Sequence, residues 1–161
     1  MASNFSGNEI IEMAIQIENK GFDFYKGMEK TAKTEKLKQL YNWLAIEEGK
    51  HIGVFEKMRS YVENIHVSGP YDWQEAMLYF RSLIDTKVFP DSLEGNSLAK
   101  ELKDEIGAIQ IAISFEKDSI LFFQEINNMV DNREKEIINK LILEEKGHIL
   151  KLLKMKQEIM T

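Results

Sequence analysis

The chain has 161 residues, of which 43% are hydrophobic and 30% charged, and its formal net charge is −6. That length fits one domain with a real core, and the acidic balance argues against nucleic acid as a partner, since binding phosphate needs a concentrated basic surface. There is no cysteine, which excludes disulfides, thiol catalysis, iron–sulfur clusters and Cys-ligated zinc within the chain. Met1 to Asn8 has no basic segment followed by an apolar run, so no signal peptide is expected. No apolar stretch approaches the roughly 20 residues needed to span a bilayer. A cytoplasmic protein without a membrane partner is the expectation.

The spacing predicts four long helices. The first runs from about Glu9 to Lys30; Ser6 and Glu9 have capping-box spacing, with Phe5 and Ile10 placed as a hydrophobic staple. The second runs from about Thr34 to Glu63. A link of about residues 64–96 follows, holding both prolines, Pro70 and Pro90, and a short helix from Asp72 to about Asp85 opened by the capping-box pair Asp72 and Glu75. The third long helix covers about Lys103 to Met129, with Ser97 as an earlier possible start. The fourth begins near Asp131, with Glu134 three residues on, and runs almost to the C-terminus. Short 1–2 and 3–4 connections make each pair an antiparallel hairpin. The fold expected is therefore all-α: one antiparallel four-helix bundle, with hairpins at about 9–63 and 97–160.

The two hairpins repeat each other. Ala14-Ile15-Gln16-Ile17-Glu18, with Tyr25 seven residues later, is echoed by Ala112-Ile113-Ser114-Phe115-Glu116 with Phe123. Leu44 to Ile52 is echoed by Leu141 to Ile149. Glu18 to Glu116 is an offset of 98, and Glu48 to Glu145 an offset of 97. Two matches at nearly one offset point to a duplicated hairpin and a pseudo-two-fold axis.

On the helical wheel each helix carries a glutamate in the middle of its apolar stripe. The stripe of helix 1 reads Ile11, Ile15, Glu18, Phe22, Tyr25, and that of helix 3 reads Ile109, Ile113, Glu116, Ile120, Phe123. Helix 2 gives Tyr41, Leu44, Glu48, His51, Phe55, Met58, and helix 4 gives Ile138, Leu141, Glu145, His148, Leu152, Met155. Alternating steps of three and four mark the core face of a bundle helix. Helices 2 and 4 add a histidine one turn after the glutamate.

An ionised carboxylate in a core is costly unless paired or bound to metal. Four together repel one another, and no Lys or Arg falls on these stripes. Two divalent cations balance four carboxylates with two neutral imidazoles, and oxygen with imidazole nitrogen suits iron or manganese. Residues three apart share a helix face, so each Glu-x-x-His can offer an oxygen and a nitrogen to one ion. Glu47 and Glu144 are alternatives in register, four residues before the histidines, but because they leave the stripe they read as residues behind the ligands or on the surface.

This constellation resembles the ferritin-like di-iron carboxylate proteins, and specifically their rubrerythrin branch, over nearly the whole chain. The resemblance implies that Glu48 and Glu145 bridge two iron ions, that Glu18 and Glu116 are terminal ligands, and that His51 and His148 each complete one ion. It also places Tyr25 near the metals, where its hydroxyl can orient a ligand carboxylate; an ordinary core tyrosine is the other reading. Two departures stand out. Rubrerythrins carry a Cys-rich rubredoxin domain that supplies electrons, which this sequence cannot form. They also have a further glutamate three residues after the helix 3 ligand, and here that position is Ser119.

The function expected is redox chemistry with H2O2 or O2 as substrate, of peroxidase, oxidase or ferroxidase type, with electrons from a separate donor protein such as a rubredoxin. The alternative is iron binding, storage or handling without turnover, and a weaker third reading makes the metals purely structural. The resemblance implies a homodimer. His66 reads as a surface residue, and the methionines as core filler.

Overall fold

The computed structural model describes residues 5–60, 62, 64–65, 72–84 and 104–161. Within them, β1 (Phe5–Ser6) leads into α1 (Gly7–Thr31), followed by α2 (Glu35–Arg59), β2 (Asn64–Ile65), α3 (Trp73–Ile84), α4 (Glu105–Met129) and α5 (Asn132–Met160). The all-α expectation holds apart from the two-residue strands, which pair antiparallel with Phe5 opposite Ile65 and Ser6 opposite Asn64. α1 packs on α2 and α4 on α5 as two hairpins, and the hairpins meet through α1 against α4 and α2 against α5.

Helix ends follow local chemistry. Thr34 caps α2 by accepting from Leu37 N, and Asp104 caps α4 by accepting from Ile106 N, each satisfying an amide with no partner inside the helix. The Asp72–Glu75 box closes in both directions: Glu75 N donates to Asp72 Oδ1 at 2.9 Å, and Asp72 N to Glu75 Oε2 at 3.2 Å. Asp131 stands at the N-cap of α5 without a side-chain cap bond. The second helix stops at Arg59, short of the Glu63 expected, because Ser60 turns the chain and β2 then pairs with β1. The Ser6 capping-box and Phe5 staple side chains, His66, Pro70, Asp85, Pro90 and the possible start at Ser97 lie outside the described residues.

The core is split in two along the bundle. At one end Ile10, Ile11, Phe55, Phe122, Ile126 and Ile138 pack with their neighbours. At the other, Phe24, Met28, Leu37, Tyr41, Ala108 and Leu152 do so. Phe80 ties α3 to the first cluster; it is 1% exposed and its ring meets Phe122 edge-on at 5.1 Å. The layer between the clusters is polar. No helix among the described residues is long and apolar enough to cross a membrane.

Candidate metal centre

The polar layer is made by the six residues singled out on the stripes. Glu18 from α1, Glu48 and His51 from α2, Glu116 from α4, and Glu145 and His148 from α5 are each 0–1% exposed. All six converge. Nδ1 of His51 lies 3.3 Å from Glu18 and 2.9 Å from Glu145, and Nδ1 of His148 lies 3.4 Å from Glu48, 3.4 Å from Glu116 and 2.8 Å from Glu145. The two imidazoles stack nearly parallel, with centroids 5.5 Å apart.

These are close approaches without hydrogen-bond alignment. Both oxygens of Glu18 and of Glu145, one each of Glu48 and Glu116, and both Nδ1 atoms have no hydrogen-bond partner. So many buried polar atoms facing one another without partners would be costly in a finished core. They fall into two overlapping groups whose ligand atoms all lie within 4.8 Å of one another: Glu18, Glu48, His51, Glu145, and Glu48, Glu116, Glu145, His148. Glu48 and Glu145 belong to both. The donor set, mixed carboxylate and imidazole with two shared carboxylates, fits a pair of divalent ions.

The electrostatics show the same strain. Burial, then the charges of Glu48 and Glu145, raise Glu18 well above the ordinary carboxylate range. Glu116 is pushed up to about 8 by burial and by Glu145, against the pull of His148. Burial and Glu48 push Glu145 up, but the two histidines and Glu116 facing it leave it below its ordinary value. Burial disfavours the charged form of His51, yet the carboxylates of Glu145 and Glu18 carry it up to about 12; His148 is raised likewise by Glu116, Glu145 and Glu48. Without metal, protons take the place of cations here.

Around this layer, Tyr25 donates its hydroxyl to Oε1 of Glu116. Burial, then Glu116 and Glu48, hold its own ionisation well above the ordinary phenol range, so it remains a donor. Phe123, its counterpart in the repeat, is buried against Phe55. Gly21, one turn after Glu18, lets the Phe115 ring lie against α1: a Cβ there would meet Phe115 at 2.5 Å and Glu48 Cγ at 3.4 Å. Ser119 is buried with its hydroxyl unpartnered. One participant was not on any stripe: Glu144 accepts from Nε2 of His51 at 3.0 Å. Its signal in the sequence was adjacency to Glu145 on the side of α5 that faces α2. Glu47 pairs instead with Lys50. An open cleft of about 1220 Å³ beside α3, lined by Glu12, Met13, Arg59, Met77 and Arg81 among others, shares no residue with the cluster.

The comparisons with known proteins agree with this geometry. The rubrerythrin family pattern matches residues 9–156. A solved structure from Thermotoga maritima, described as ferritin-like and diiron-carboxylate, is 27% identical, covers 96% of this chain and 97% of its own, and superposes with a TM-score of 0.69. A hypothetical protein from Pyrococcus furiosus is 25% identical over 95% of this chain and 89% of its own, with a TM-score of 0.63. No curated protein matches. With nearly its whole length matched and a buried carboxylate–histidine cluster at its centre, the chain belongs to the rubrerythrin family of ferritin-like proteins.

Proposed function

We propose that the chain is a di-iron redox protein that reduces hydrogen peroxide or dioxygen with electrons from an external donor. The observation that carries this reading is the buried layer of four glutamates and two histidines whose facing atoms have no other partner. The iron pair would supply the capacity to give up electrons to the oxidant and to be re-reduced. Glu18 and His51 would hold one ion, Glu116 and His148 the other, and Glu48 and Glu145 both. Carboxylates suit this work because they serve either oxidation state and can change their mode of ligation. Tyr25 fixes the Glu116 carboxylate by its hydrogen bond. The apolar clusters on both sides keep bulk water from the layer. These 161 residues have no cysteine to hold an iron–sulfur or rubredoxin-type centre, so the donor in this reading lies outside them.

The test is anaerobic loading with Fe(II), followed by metal analysis and by the optical spectrum on adding H2O2 or O2. Two irons per chain and a near-ultraviolet band of oxidised iron are expected, and the faster oxidant identifies the substrate. Steady-state peroxide consumption with a reductant present separates turnover from storage. A protein that stays metal-free, or Glu48→Ala and His148→Ala variants that bind as wild type does, overturns the reading.

A further inference from the structure

The two halves of the cluster are backed differently, and the difference traces to one inversion in the repeat. Around the first histidine the chain reads Glu47-Glu48-Gly49-Lys50-His51; around the second it reads Glu144-Glu145-Lys146-Gly147-His148. Glu47 and Glu144 thus hold equivalent places. Glu144 reaches the histidine of the other hairpin and accepts from Nε2 of His51. Exact two-fold repetition would have Glu47 do the same for His148. Instead Lys50 Nζ, three residues along the same helix, holds Glu47 at 2.5 Å.

Nε2 of His148 is left buried without a hydrogen-bond partner. Its ring is covered edge-to-face by Trp43 at 5.3 Å, and Lys151 Nζ lies 4.6 Å from the Trp43 ring. In the second half the place of Lys50 is taken by Gly147, so no lysine three residues on competes for Glu144. Lys140 approaches it only to 4.0 Å, from the preceding turn.

The outer carboxylates differ in a way that adds to this. Glu116 gives part of its electron density to the Tyr25 hydroxyl, whereas both oxygens of Glu18 have no partner. A carboxylate behind a ligand imidazole fixes its tautomer and raises its basicity. A hydrogen bond to a ligand carboxylate works the other way. Both effects make Glu18 and His51 the better donors.

We propose that the two metal positions are inequivalent: the ion between Glu18 and His51 binds first and more tightly than the one between Glu116 and His148, because Glu144 backs His51 while Lys50 diverts Glu47 from His148. This rests on the di-metal reading above. Glu144 is a positioning residue, acting through His51.

The test is anaerobic titration of the intact chain with Co(II), followed by visible absorption and calorimetry. Wild type takes up two ions in separate steps. Glu144→Gln weakens the first step by about 10- to 100-fold, the usual cost of losing such a partner, and leaves the second unchanged. Gly147→Lys places a competing lysine three residues after Glu144 and acts in the same direction. The double exchange Gly49→Lys with Lys50→Gly releases Glu47, strengthens the second step and narrows the gap. Neither glycine is crowded at its Cβ position: nothing lies within 4 Å of a Cβ at Gly147 and only Phe22, at 3.9 Å, near one at Gly49. Two equal steps in wild type, or an unaltered first step in both Glu144→Gln and Gly147→Lys, overturns the proposal and leaves the di-metal reading standing. A wild type that takes up no Co(II) ends both.

Discussion

Tyr25 on α1 and Glu116 on α4 are 91 residues apart in the chain, yet the phenol donates directly to the carboxylate inside the polar layer. The bond ties the two hairpins together at one of the clustered carboxylates. Tyr25→Phe removes it and leaves Glu116 without a donor. Glu116 keeps its proton up to about pH 8 in the metal-free protein, so the bond ranks as an ordinary one worth about 0.5–1.5 kcal/mol. A loss of that order is expected in denaturant unfolding of the metal-free protein near neutral pH. Iron stoichiometry should stay at two while the reaction with peroxide slows. A variant that unfolds at the wild-type midpoint would make the tyrosine an ordinary core residue.

The metal-free protein should lose stability as pH rises. Glu116 sits at about 8 against an ordinary 4.5, and His51 at about 12 against 6.5. Both bind their proton more tightly when folded. Their contribution is therefore complete below the ordinary values and is lost as pH rises through the folded ones. Thermal melts of the apo-protein should fall steadily from about pH 6 to 9. Metal uptake displaces those protons, so the loaded protein should show a flat or rising profile over the same range. A falling profile in both forms would count against ligation by these groups.

Glu18 should be a liability whenever metal is absent. Both its oxygens are buried and unpartnered, and Glu48 and Glu145 repel it. A carboxyl that must hold its proton more tightly in the folded than in the unfolded chain destabilises the fold at neutral pH, and an amide in its place is free of that penalty. Glu18→Gln should therefore raise the apo-protein's unfolding free energy by about 1 kcal/mol while weakening metal uptake at its position. Equilibrium unfolding with and without Fe(II), under anaerobic conditions, reads both effects.

Gly21 on α1 leaves room for the Phe115 ring of α4 beside the site. Gly21→Ala drives a methyl group into the Phe115 ring. Overpacking of this kind costs about 1–3 kcal/mol, and because Glu48 Cγ also lies within contact, the spectrum of the loaded centre should shift with it. An alanine variant of wild-type stability would show that Phe115 can simply rotate aside.

The six residues of the polar layer were legible in the sequence because a bundle helix repeats in steps of three and four, and a glutamate on such a stripe has nowhere else to point. The pairing of hairpins was legible for the same reason, aided by the repeat. Glu144 was not. It lies off its own stripe and gains its role from the neighbouring helix, a relation that periodicity along one helix does not encode. The early end of α2 was missed because the β1–β2 pairing joins segments nearly sixty residues apart. Tyr25 was placed near the centre by the family resemblance, on the same face as Glu18, but only the fold shows that its partner is Glu116 on the opposite hairpin.

The near-complete burial of all six groups also sets how an ion held among them would leave. A chelator cannot reach the layer from solvent, so release has to wait for the hairpins to part. The escape rate should then be independent of chelator concentration once that is high, and should follow the frequency with which the hairpins part. Stopped-flow transfer of Co(II) to increasing chelator would show a plateau. On that plateau the protein would behave as a clasp whose release is timed by its own breathing rather than by the affinity of whatever receives the metal.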